Sequence, residues 1–235
     1  MNKYNIESVS GFAEPVASWS HFFGAALFFV LSIVLLRGGW RAAADLPAAT
    51  RWARMFSLAL FCFSAVSLFS VSGVYHLLGF RNEARDVMLR VDYAFIFALI
   101  ASTYTPIMVY LLKGILRWLP LLLIWSAAIT GIVLFAVFGE IPIWFSVTLM
   151  AGLGWSGIYP VIVLLKRYGF RFVEPVLSGA AAYTIGAAIQ AAGEPMIIQG
   201  VLGPHEIFHI AVILGALCHW KFIHTIATSE PVRIA

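Results

Sequence analysis

Charge is what this 235-residue chain has least of: Asp, Glu, Lys and Arg together make up 11% of it, against about 25% in an ordinary soluble domain. So few charges cannot cover the surface of a globule in water, which excludes a soluble domain. Cysteine is nearly absent as well. Cys62 and Cys218 are the two present, each inside an apolar stretch, which excludes a disulfide framework and leaves them as small buried hydrophobes. The positive excess is small, 15 Lys and Arg against 11 Asp and Glu. No basic run or polar domain carries it, so no nucleic-acid partner is expected. The opening residues MNKYNIESVSGFAEP lack the apolar run and small-residue cleavage site of a signal peptide. The first span is therefore expected to stay as a membrane helix.

What is abundant is apolar length. Hydrophobic residues make up 62% of the chain and the mean hydropathy is +0.93. A hydrocarbon layer about 30 Å thick takes roughly 20 apolar residues in a helix. On that scale the chain predicts seven spans: Ala17–Leu36, Met55–Leu78, Val91–Leu112, Trp118–Phe138, Ile141–Leu165, Val176–Ala192 and His205–Ile226. The fold class is all-α, a polytopic bundle of seven transmembrane helices forming one domain over residues 1–235, with a short polar N-terminus over residues 1–16. The breaks between spans carry charge, proline or glycine, as in Arg37–Arg54, Arg81–Arg90, Lys113–Arg117, Lys166–Arg171 and Gly193–Pro204. The sixth span, SGAAAYTIGAAIQAAG, is short and rich in small residues. Such residues let backbones approach closely in lipid, so it is expected to be a tightly packed inner helix, with a re-entrant segment as the alternative.

Seven spans put the chain ends on opposite sides. Arg37, Arg41, Arg51, Arg54, Lys113, Arg117, Lys166, Arg167, Arg171 and Lys221 fall on the C-terminal side; Lys3, Arg81, Arg85 and Arg90 fall on the other. The excess of Lys and Arg in cytoplasmic loops predicts a cytoplasmic C-terminus.

Ionisable groups within spans are costly and point to function. SGVYH near the end of the second span supplies Ser72 and His76, RVDYAF at the start of the third supplies Asp92, and GPHEIFH at the start of the seventh supplies His205 and His209. By alternation all three helix ends share one membrane face. Ser72 and His76 are four apart, as are His205 and His209, so each pair shares a helix face. Three histidines leaving one position open form a known catalytic zinc arrangement, in which Asp92 and Ser72 would hold or polarise a water or orient a ligand. Each histidine taken singly also fits a helix cap or an interhelical hydrogen bond. HEIFH matches the H-E-x-x-H pattern of zinc proteases. Glu206, however, points about 100° away from both histidines and suits the positive N-terminal turn of its helix better. Glu14 and His21 form a further pair two helical turns apart. His219, about three turns deeper than His209, is expected to be a packing residue. Thr103, Thr105 and Pro106 are expected to bend or relax the third span.

At these residues the chain resembles the hemolysin III family, the bacterial branch of the progestin and adipoQ receptor superfamily, from Glu14 to about His224. EPVASWSH is similar to the family's opening motif, SGVYHL to its S-x-x-Y-H motif, VDYAFIFALIASTYTP to its third-helix motif and HEIFHIAVILGALCH to its H-x-x-x-H motif. Ala17, Tyr93 and Ala101 depart from residues frequent in the family and remove no candidate ligand. The resemblance implies zinc bound by His76, His205 and His209, a water held by Asp92 and Ser72, and a link to ceramide hydrolysis. The receptor branch is usually described with a cytoplasmic N-terminus, opposite to the loop charges here.

Three functions follow. One is a zinc-dependent hydrolase of an amide or ester bond in a membrane lipid of the plasma (bacterial inner) membrane. Zinc would lower the pKa of its bound water towards 7 and polarise the carbonyl, with Asp92 as general base and Ser72 as hydrogen-bond donor. The second is a receptor-like sensor or membrane regulator with structural zinc. The third, a pore or cytolysin, would need polar positions spread through the bilayer depth, whereas these gather at one end.

Overall fold

The structure is a computed structural model that describes residues 13–79, 83–138, 142–199 and 201–229. These residues form eight helices: α1 (Pro15–Ala42), α2 (Ala48–Leu77), α3 (Glu83–Leu111), α4 (Ile115–Phe138), α5 (Ile143–Trp155), α6 (Ile158–Tyr168), α7 (Phe170–Ala192) and α8 (Pro204–Thr228). Seven stretches are long and apolar enough to cross a membrane, with α5 and α6 together making the fifth. Lys3, Arg81, Ile141 and most of the polar N-terminus lie outside the described residues.

The helices outrun the apolar stretches that predict them. α1 continues through Arg37 and Arg41 to Ala42, and α3 begins at Glu83 rather than Val91. Hydropathy marks the hydrocarbon layer alone. Beyond it the backbone keeps its own hydrogen bonds, and a long Arg stem can lie along a helix while its charge reaches the headgroup zone. Pro47 and Pro204 stand at helix starts, where a missing N–H costs nothing. Gly193, with φ of 74°, ends α7 in the left-handed conformation glycine accepts without strain.

α3 is the axis of the bundle: 61% of its most apolar window is buried, the highest share among the spans. It touches α2, α4, α5 and α8, while α1 bridges α2 and α8. Phe28, Phe61, Phe69, Ile107 and Phe222 fill the main core; Phe97, Ala128, Phe135 and Leu153 fill a second between α3, α4 and α5. Pro106 does not break α3. Around it the Thr105 hydroxyl donates to the Ala101 carbonyl at 3.0 Å and the Thr103 hydroxyl to Leu99 at 2.7 Å, each a bond to the carbonyl four residues back and neither to the Ser102 carbonyl that Pro106 leaves free.

Two expectations need correction. The sixth span is not an inner helix, since only 22% of its window is buried. Its small residues serve a single close contact with α8. A Cβ on Gly179 would lie 3.0 Å from the Gly215 carbonyl, and one on Gly215 would lie 2.9 Å from the Tyr183 ring. Apart from smaller contacts with α5 and α6, much of α7 is left uncovered, with Ile185 59% exposed. The fifth span is not one continuous helix but turns at Ser156–Gly157. The Tyr104 hydroxyl donates to the Gly154 carbonyl, the acceptor an unbroken helix would offer to Ile158, and the Tyr104 ring lies against Gly157.

A candidate metal centre

The helix ends predicted to share a face do meet. α2 presents Ser72 and His76 one turn apart near its C-terminus, and α8 presents His205 and His209 directly after Pro204. One ring nitrogen from each of His76, His205 and His209 lies within 4.8 Å of the other two. The ring centroids are 4.9, 4.5 and 4.4 Å apart, and each pair meets at 58° or more. The rings therefore converge edge-on and do not stack. His76 and His209 are buried and His205 is half-buried.

This donor set can hold a metal ion. Three imidazoles from two rigid helices suit a borderline cation such as zinc. Burial of their polar nitrogens without such a role is costly: His209 Nδ1 has no hydrogen-bond partner, and neither does the Asp92 Oδ1 atom. Asp92, on the first turns of α3, is buried. Ser72 and His76 of α2 both lie in the neighbourhood of its carboxylate.

Around the histidines stands a shell of which sequence reading saw only the Glu14 and His21 pair, without its partners. The Glu14 Oε2 atom accepts from His76 Nδ1 at 2.8 Å and from the Arg85 guanidinium at 2.7 Å. The Glu14 amide also donates to the His76 carbonyl at 3.1 Å. With Nδ1 engaged, the nitrogen His76 offers the cluster is Nε2, the usual division of labour in carboxylate–histidine–metal arrangements. Glu14 is the N-cap residue of α1 but caps nothing with its side chain, because the carboxylate is spent on His76. Burial works to raise the Glu14 carboxyl. The hydrogen bond and charge of His76, then His205 and the Arg85 guanidinium, outweigh it and hold the group at about 2, below its ordinary 4.5.

Arg85 ties the shell to α2. Its other terminal nitrogen donates to the Leu78 and Tyr75 carbonyls at 2.6 and 3.1 Å, serving the free acceptors at the helix end, and its guanidinium lies 4.3 Å above the Tyr75 ring. On the far side the Gln190 amide of α7 meets His205 Nδ1 at 3.3 Å. His21, two turns from Glu14, packs its ring 3.9 Å from that of His209. It is buried with neither ring nitrogen hydrogen-bonded.

Two residues behave as the sequence suggests. Glu206 is buried with Oε2 accepting from the Gly203 amide at 3.0 Å, so it serves the start of α8 and not the histidines. His219 stacks on Tyr183 at 5.6 Å, outside the three-histidine group.

Comparison with known proteins agrees with this architecture. The sequence profile of the family described as Haemolysin-III related matches residues 10–220. The chain is 28% identical over 163 residues to the Hemolysin-3 homolog of Bacillus subtilis (strain 168), covering 68% of this chain and 72% of that protein. It is 29% identical over 166 residues to Hemolysin-3 of Bacillus cereus, covering 65% and 72%. It is also 28% identical over 232 residues to Heptahelical transmembrane protein 1 of Arabidopsis thaliana, covering 88% and 67%. A profile match that starts before Glu14 and runs past His209, on a chain of seven spans, makes this protein a member of the Haemolysin-III related family of multi-pass membrane proteins.

Proposed function

We propose that the protein is a zinc-dependent hydrolase of an amide or ester bond in a membrane lipid, with His76, His205 and His209 as the zinc ligands. The observation that carries this reading is the three-imidazole cluster itself, with Asp92, a buried carboxylate with one oxygen unengaged, in the neighbourhood of its ligand His76. Zinc bound there would supply a Lewis acid for the carbonyl and a water acidic enough to attack near neutral pH. Asp92 is the general base, taking the proton of the attacking water and returning it to the leaving group. Ser72, in the neighbourhood of that carboxylate and one turn from a ligand, positions the base. Glu14 holds the His76 ring. A site at the membrane surface suits a substrate whose headgroup reaches it while its tails stay in lipid. From the loop charges we infer that this face lies outside the plasma membrane and the C-terminal end of α8 inside.

A second reading, a sensor or membrane regulator with structural metal, draws on the burial of His76 and His209, each only 3% exposed, since structural zinc sites are closed. One experiment separates the two. Wild type and Asp92→Asn, both loaded with zinc, are reconstituted in bilayers carrying a panel of ceramides and phospholipids. Hydrolysis by wild type that falls about 10²–10⁴-fold in Asp92→Asn supports the enzyme with this base. Equal product from both removes Asp92 from the mechanism, and none from either favours the structural metal.

A further inference from the structure

The opposite end of the bundle holds a second cluster, built from the C-terminal turns of α1 and α3 and the N-terminal turns of α2 and α4. Arg51 and Arg54 are three apart on α2, hence on one face. Arg51 lies 3.6 Å above the Trp40 ring and Arg54 lies 4.6 Å above the Tyr110 ring. The Nε atoms of both arginines and the Tyr110 hydroxyl are buried without a hydrogen-bond partner. Arg117 spends its own Nε on the Leu112 carbonyl at 2.7 Å, and its charge and that of Arg54 are close enough to repel.

Among the described residues no carboxylate pairs with these arginines. Glu14, which pairs with His76 and Arg85, is at the other end of the bundle, and Asp45, the acid of the α1–α2 loop, is exposed. Like charges held together on aromatic faces are costly unless an anion joins them. The depth says which anion. Trp40 and Trp52 meet edge-to-face at 5.8 Å and are 42% and 63% exposed, the pattern of indoles at the headgroup level.

We propose that Arg51, Arg54 and Arg117 form a binding site for the phosphate of an anionic membrane lipid, with Tyr110 as an added donor and the indoles against the glycerol and upper acyl region. The planar guanidinium fork matches phosphate geometry, and basic pockets between helices are suited to lipid headgroups. This site is independent of the histidine cluster.

The test compares binding of phosphatidylglycerol and phosphatidylcholine to the purified full chain by native mass spectrometry. The variants are Arg54→Gln/Arg117→Gln and, as a control of equal charge loss on the same face, Arg41→Gln/Lys166→Gln. Wild type should prefer the anionic lipid. Removing the two clustered charges should weaken that binding about thirtyfold, at the usual contribution of each basic residue near a membrane surface, while the control pair should lose far less. Equal loss in both pairs, or no preference of wild type for the anionic lipid, overturns the proposal. So does displacement of the lipid by millimolar inorganic phosphate or by an acidic peptide, which would assign the cluster to a soluble anion or to a protein partner. Should Arg54→Gln/Arg117→Gln not fold, Arg54→Lys/Arg117→Lys keeps the charge and removes the fork. Weakened binding in that variant supports the site and unchanged binding sinks it.

Discussion

Glu14 and His76 are 62 residues apart in the chain and 2.8 Å apart across two helices, with the carboxylate on the ring nitrogen that faces away from the cluster. If that contact orients His76, Glu14→Gln should weaken metal binding about 10–100-fold, the usual effect of losing a ligand's outer partner. Glu14→Asp should recover part of it. Competition with a chelator of known affinity measures this; unchanged affinity in Glu14→Gln would leave the contact purely structural.

The same carboxyl gives a pH signature in chelated protein. Its folded pKa, about 2, lies below the ordinary 4.5. The stability it contributes is thus fully present above 4.5 and is lost as pH falls towards 2. The melting temperature of wild type should exceed that of Glu14→Gln at pH 6, with the gap closing between pH 5 and 2. Other acids titrate in both proteins and cancel in the difference. A gap that stays constant down to pH 2 contradicts the assignment.

Much of this was legible in sequence. Apolar length alone yields seven spans, and alternation places the end of α2 and the starts of α3 and α8 on one face. Four-residue spacing then aims His205 and His209 together. The roles of Glu14, Arg85 and Gln190 were not legible, because each depends on a contact between helices distant in the chain, as with Arg85 and Glu14 at a separation of 71. Glu14, an acid seven residues before a histidine, was visible as half of a pair but not as a partner of His76. The turn in the fifth span is hidden by its own composition. The glycines and serine of GLGWSG are a break signal submerged in the apolar residues around them, and the Tyr104 hydroxyl that takes the Gly154 carbonyl sits 50 residues away. The small residues of α7 signal close packing but cannot say on how many sides.

Packing of α7 on α8 gives an independent check. Gly215 lies against the Tyr183 ring, so Gly215→Leu should overpack the contact and cost about 1–3 kcal/mol. A lower melting temperature with metal content kept is the expected result. His219→Ala, at the same interface, should likewise keep its metal.

Loop charge predicts that a fluorescent fusion at the C-terminus reports cytoplasm and that a cysteine introduced near Asn2 reacts with an impermeant reagent from outside. The reverse pattern would move the histidine cluster to the cytoplasmic face without altering its geometry.

The central claim is that His76, His205 and His209 form a metal centre, and zinc content per chain tests it most directly. Wild type purified with zinc available should carry close to one equivalent. The His205→Ala/His209→Ala double variant should carry almost none and melt at a lower temperature, because binding to the folded state adds to folding stability. Full zinc occupancy in the double variant, or a wild type that never retains metal through dialysis, would contradict the account.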